Sequence, residues 1–118
     1  MYGLKKELDL KFLLGRELIQ IAIGVYQVTF NFDEDTSIAV EGYFEYTSQS
    51  KSIEWRPGGA LVAASTVGLL AARVQTVDAQ EDGTLKLAFS NGDRLTMLDV
   101  SSEYESYQVS RRGETIVV

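Results

Sequence analysis

Cysteine and histidine are both missing from this 118-residue chain. Without cysteine there can be no disulfides, thiolate metal sites or cysteine nucleophiles. Without histidine the commonest general base, the commonest neutral metal ligand and every Ser-His nucleophile system are lost. Any catalysis would have to run on carboxylates, lysine, tyrosine or a cofactor. Positive charge is also scarce: 11 lysines and arginines face 17 aspartates and glutamates, a formal charge of −6. That sign repels phosphate backbones and anionic headgroups, and the basic residues are scattered, so neither nucleic acid nor a membrane surface is expected as a partner. A basic protein partner fits the charge. The longest uncharged run, Pro57 to Ala72, falls short of the ~20 apolar residues that span a bilayer. The segment Met1 to Asp9 alternates charged and apolar residues rather than forming an apolar signal stretch, and a cytoplasmic protein is expected.

What is present fits a globular chain. Hydrophobic residues make up 45% and charged residues 24%, both near the average for folded domains. The length suits a single domain over residues 1–118.

Alternation of apolar and polar residues marks a first block of strands. Glu17 to Ile23 carries Ile19, Ile21 and Ile23 on one face, and Gly24-Val25 forms a tight turn. Tyr26 to Phe32 points Tyr26, Val28, Phe30 and Phe32 inward and Gln27, Thr29 and Asn31 outward, and Asp33-Glu34-Asp35 turns the chain. Ser37 to Tyr46 places Ile38, Val40, Phe44 and Tyr46 on one side, with Glu41, Tyr43 and Glu45 on the other. A short strand, Ser52 to Arg56, holds Trp55 and is stopped by Pro57-Gly58-Gly59. Ala60 to Ala72 then reads as one helix. It has no charged residue, and a helix without a polar face is normally buried on most sides.

The second block has the same plan. Arg73 to Ala79 slips period near Thr76-Val77, which suggests a bulge. Thr84 to Phe89 and Arg94 to Leu98 flank Asn91-Gly92, a strong hairpin signal. An acidic connection, Asp99 to Glu105, leads to a last hairpin, Tyr107 to Ser110 and Thr115 to Val118, around Arg111-Arg112-Gly113. The shared plan of the blocks is read as what any two β-meanders give, rather than as a duplication. The expected fold is α+β, with antiparallel meanders flanking one central buried helix. A helix left partly uncovered would make the chain a homodimer.

The stretch LLAARVQTVDAQEDGTLKLAFSNGDRLTML, followed by EYESYQVSRRGETIVV, resembles a family of small bacterial immunity-like proteins. The resemblance rests on Gly83, Leu85, Leu87, Phe89, Asn91, Gly92, Leu95, Tyr104, Glu105, Ser106 and Tyr107, with Tyr107 standing where that family often has tryptophan. It covers about half the chain, and most of its positions are hairpin residues. It implies a non-enzymatic protein that binds and neutralises a toxin domain.

Few residues offer chemistry. Asp33-Glu34-Asp35 lacks the spacing of a calcium loop, and three consecutive carboxylates in a simple turn cannot converge on one ion, so no metal is expected. Gly58-Gly59 precedes a helix but lacks the lysine of a phosphate loop. No cofactor is expected. The segment from Glu103 to Tyr107 is the strongest candidate. Glu103, Tyr104, Glu105 and Tyr107 alternate negative charge with aromatic area, a composition suited to a protein interface. A structural role, and acid–base chemistry by the two carboxylates, are the competing readings. The alternative function is a small-molecule-binding or carboxylate-dependent hydrolytic domain.

Overall fold

The computed structural model describes residues 10–99 and 106–118. Strands β1 (Leu18–Ile23), β2 (Val28–Phe32) and β3 (Thr36–Val40) form an antiparallel meander. In β2 and β3 every second residue is buried, as the apolar alternation requires. The chain then breaks at Glu41-Gly42, where both N–H groups donate to the Ser106 carbonyl at 3.0 Å. A Cβ at Gly42 would lie only 3.3 Å from the Ser106 backbone, so the crossing is tight. Strands β4 (Phe44–Ser48) and β5 (Lys51–Trp55) belong to the other sheet.

A short α1 (Ala60–Ala64) continues directly into a 3₁₀ turn, Ser65–Leu69. The second meander follows as β6 (Val74–Ala79), β7 (Leu85–Phe89) and β8 (Arg94–Met97), and the hairpin β9 (Tyr107–Arg111) and β10 (Glu114–Val117) returns to the first sheet. The described residues thus make two five-stranded antiparallel sheets, ordered β1-β2-β3-β9-β10 and β5-β4-β8-β7-β6.

This architecture corrects the expected α+β fold. The protein is mostly β, and its short helix is peripheral. Of the segment from Ala60 to Ala72, only Ala63, Thr66, Leu69 and Ala72 are buried. They are three residues apart, the period of the 3₁₀ helix rather than the 3.6 of an α-helix. Leu61 is 92% exposed. Missing charge does not mean all-round burial here, because the two sheets cover each other's apolar faces and need no helix between them. One cluster from both sheets forms the core. Phe30 meets Phe44 edge-on at 5.4 Å, and Phe44 stacks on Trp55 at 5.2 Å, contacts worth ~0.5–1.5 kcal/mol each beyond burial.

The halves match in detail, which overturns the reading of two unrelated meanders. A bridge joins Glu17 to Arg73, and the bonds around it are reciprocal. Leu18 N–H donates to the Ala72 carbonyl at 2.9 Å, and Val74 N–H to the Arg16 carbonyl at 3.0 Å. Gly15 N–H donates to the Val74 carbonyl and Ala71 N–H to the Leu18 carbonyl, both at 2.8 Å. Gly15 and Ala71 share a positive φ, 79° and 73°. A 3₁₀ turn precedes each, Lys11–Leu13 and Ser65–Leu69, with Leu13 and Leu69 fully buried. Both first strands carry a bulge, at Leu18/Gln20 and Val74/Thr76. Phe32 and Phe89 occupy equivalent strand ends and stack on each other with rings 9° from parallel. Each repeat is therefore a meander followed by a hairpin that it hands to the other repeat's sheet: β4-β5 lies against β8, and β9-β10 against β3.

Candidate functional site

Because side chains alternate along a strand, each sheet turns a second set of residues away from the core. On the first sheet the pairing aligns them in two rows across the strands. One is Gln20, Asn31, Ser37, Ser110 and Thr115; the other is Ala22, Thr29, Ala39, Gln108 and Val117. None of these residues is charged. Asn31 donates to the Gln20 carbonyl oxygen at 2.9 Å, and the Ser110 and Thr115 hydroxyls lie 3.1 Å apart.

The second sheet has the same two rows with different chemistry. One is Thr76, Ala88, Arg94, Thr47 and Ser52; the other is Asp78, Lys86, Thr96, Glu45 and Glu54. The Thr47–Ser52 hydroxyl pair, at 2.9 Å, repeats Ser110–Thr115. Where the first sheet has Ala22, Thr29, Gln108 and Val117, the second has Asp78, Lys86, Glu45 and Glu54. An open groove of about 700 Å³ lies on this face, lined by Glu45, Thr47, Thr76, Asp78, Lys86 and Arg94 among others.

The electrostatics of this groove are open-ended. Among the described residues, none of Glu45, Asp78, Lys86 and Arg94 makes an ion pair within 4.0 Å. Glu45 and Glu54 sit directly opposite one another, a like-charge pairing that costs stability in a sheet. Beside them Tyr43 hydrogen-bonds Glu54 and carries Arg56 over its ring at 4.8 Å. Burial, then the Glu54 hydrogen bond and the Glu45 charge, push the Tyr43 phenol up to about 12. Cations at the centre, on β7 and β8, are thus flanked by carboxylates on β6, β4 and β5.

The residues singled out from the sequence fall elsewhere. Glu103, Tyr104 and Glu105 lie outside the described residues. Tyr107 is fully buried on β9, and its hydroxyl donates to the Gly83 carbonyl at 2.6 Å. It acts as a lock between the sheets, and no surface contact can be built on it. The Asp33 carboxylate accepts from the Glu17 N–H at 3.0 Å and faces Arg16 and Arg73 at 3.6 and 3.9 Å, while Glu34 faces Arg112 at 3.7 Å. Gly58 N–H is spent on the Val25 carbonyl at 2.7 Å. Asn91 closes its turn by accepting from the Asp93 N–H, with Gly92 alone taking the positive φ. The groove residues carry a weak signal in the sequence: they occupy the outward positions of strands recognised from their inward ones. Only the pairing of β4 with β8, a long-range event, gathers them onto one face.

The fold and face define an antiparallel two-sheet β protein, internally duplicated, with one neutral and one charged outer surface. The chain belongs to DUF6188, a family of unknown function, which matches residues 10–118. No curated protein and no solved structure matches it. Among the described residues, no helix is long and apolar enough to cross a membrane.

Proposed function

We propose that this protein is a non-enzymatic protein-binding domain whose binding face is the charged groove of the second sheet. The observation that carries the reading is the contrast between equivalent faces. Duplicated halves have the same strand plan, yet only one face holds five charged side chains, arranged so that they do not neutralise one another in pairs. Charges without an ion-pair partner among the described residues, and a Glu–Glu pair kept at a cost to stability, fit a surface completed by something else. The net charge of −6 would steer a basic partner toward the chain, and the alternating signs in the groove would fix its register. Neutralisation of a toxin domain, in the manner of immunity proteins, is the specific form we favour, and the cell interior is where it would act.

Co-expression with a toxic basic domain encoded beside this chain tests the reading. Growth should be restored and a complex recovered, and Lys86→Glu combined with Arg94→Glu should abolish both while the fold is retained. Rescue unaffected by the double variant would remove the groove from the account. The volume of the groove favours a second reading, a small zwitterionic ligand held between the cations and carboxylates. Under that reading, a panel of amino acids and short peptides should raise the melting temperature, an effect of ~2.7 kcal/mol at 100 times the dissociation constant.

A further inference from the structure

We propose that a second site, at the turns that follow β2 and β9, binds a dianionic phosphate group, free or carried by a small molecule. A pocket of about 310 Å³ lies there, lined by Phe12, Arg16, Glu34, Thr36, Arg111 and Arg112. Three of the chain's 11 basic residues thus meet at one place in a protein of formal charge −6. Guanidinium groups match phosphate oxygens two at a time, which makes arginine well suited to such a group. Three arginines against one glutamate leave the lining at +2. A phosphate monoester carries about −1.5 to −2 at neutral pH, which complements it. A polyanion would still meet the chain's overall negative charge, so nucleic acid remains unsuited.

The duplication supplies an internal control. Leu13 and Gly15 are equivalent to Leu69 and Ala71, so Phe12 and Arg16 correspond to Gly68 and Ala72. Glu34 and Thr36 correspond to Asn91 and Asp93, and Arg111 and Arg112 to Ser48 and Gln49. Arg112 and Gln49 share their positive φ, 51° and 50°. The second repeat therefore has no arginine at any of these positions. It fills the place with its own hydrogen bonds: Tyr46 donates to the Asp93 carboxylate at 2.6 Å, and the Asn91 amide donates to that carboxylate and to the Gly68 carbonyl, both at 3.1 Å. The first repeat has Val109 in place of Tyr46, since Val109 pairs with Ile38 as Tyr46 pairs with Leu95. No such network can form there.

The arginines are held in place for a ligand. Arg111 lies over the Phe12 ring at 4.4 Å, which occupies the face of its guanidinium and leaves the edge N–H groups to bind. It makes no ion pair among the described residues. Arg16 has one guanidinium nitrogen 3.6 Å from Asp33, but its Nε–H is buried with no acceptor among the described residues. A buried donor left unmet costs stability, and an oxyanion would bring acceptors to this side chain. Arg112 faces Glu34 at 3.7 Å, and its N–H donates to the Asp35 carbonyl at 3.0 Å, which ties the two turns together. Glu34 and Asp35 both take a left-handed φ, 56° and 54°, where the equivalent turn gives it to Gly92 alone. Strain of this kind outside glycine gathers at ligand sites.

Isothermal titration calorimetry of the purified chain at low salt, with inorganic phosphate, glycerol phosphate and succinate, tests the site without any protein partner. Both phosphates should bind saturably, and succinate, a dianion of another shape, much more weakly. Affinity should rise with pH through about 6, as the second phosphate proton is lost. A tighter ester supports a phosphorylated small molecule as the ligand, and equal affinities support free phosphate. Arg111→Gln and Arg112→Gln change exposed residues, so each should weaken phosphate about tenfold with an unaltered circular dichroism spectrum. Lys86→Gln combined with Arg94→Gln, in the groove, should leave phosphate binding as it was. In the wild-type chain the Thr36 and Arg111 amide signals should shift on titration. The proposal is overturned if neither phosphate binds at millimolar concentration, if succinate binds as well as phosphate, or if folded Arg111 and Arg112 variants bind as the wild type does.

Discussion

Two buried phenols tie distant parts of the fold together, Tyr107 across the two sheets and Tyr46 across the two repeats. Tyr107 donates to the Gly83 carbonyl and Tyr46 to the Asp93 carboxylate, both at 2.6 Å. A Cβ at Gly83 would come within 2.5 Å of the Asp99 side chain, so this acceptor is held in a place only glycine fits. Tyr107→Phe should leave the Gly83 carbonyl buried and unpaired, at ~1–3 kcal/mol, read from urea unfolding followed by Trp55 fluorescence. The same phenols make the fold sensitive to base. Burial raises the Tyr107 and Tyr46 phenols above the usual 10.0, and Tyr43 rises to about 12. A raised phenol keeps its proton longer in the native state than in the unfolded chain. The contribution of Tyr43 is therefore intact below pH 10 and is lost as pH rises toward about 12. Unfolding midpoints should fall across that window, and Tyr43→Phe should flatten the fall. A flat profile in the wild-type chain would contradict the assignment.

At the scale of elements, the repeat predicts its own substitutions. Gly15 and Ala71 hold the same left-handed conformation ahead of equivalent bulged strands, but only glycine adopts it without strain. Gly15→Ala should cost ~1 kcal/mol and Ala71→Gly should be neutral or stabilising by up to about that amount. If Ala71→Gly destabilises as much as Gly15→Ala, the equivalence is wrong. Much at this scale was legible in the sequence. The inward residues of β2, β3, β4, β7 and β8 follow from alternation, which local sequence records directly. The apparent single strand from Ser37 to Tyr46 is divided between two sheets, because alternation persists across Glu41-Gly42 and carries no sign of the sheet change. In β1 the bulge at Leu18/Gln20 sets Ile19 out of step with Ile21 and Ile23. The segment from Ala60 to Ala72 carries no charge, yet Leu61, Val67 and Leu70 face solvent, so missing charge alone does not mark a helix buried on all sides.

The whole molecule separates two chemistries that a single sequence line interleaves. Neutral residues cover the first sheet and its β1 edge, and charged ones line the groove of the second. Strand pairing over long separations decides this sorting, so the groove could not be read from the chain, and the candidate at Glu103 to Tyr107 drew attention through composition alone. The charged groove is the proposed binding face. Amide chemical-shift mapping of the 13.1 kDa chain, titrated with a basic toxin domain of the kind proposed, is its sharpest test. The largest shifts should fall on Glu45, Thr47, Thr76, Asp78, Lys86, Arg94 and Thr96, with Thr29, Ser37 and Gln108 on the equivalent neutral face unmoved. Shifts centred on the neutral face, with the groove silent, would contradict it.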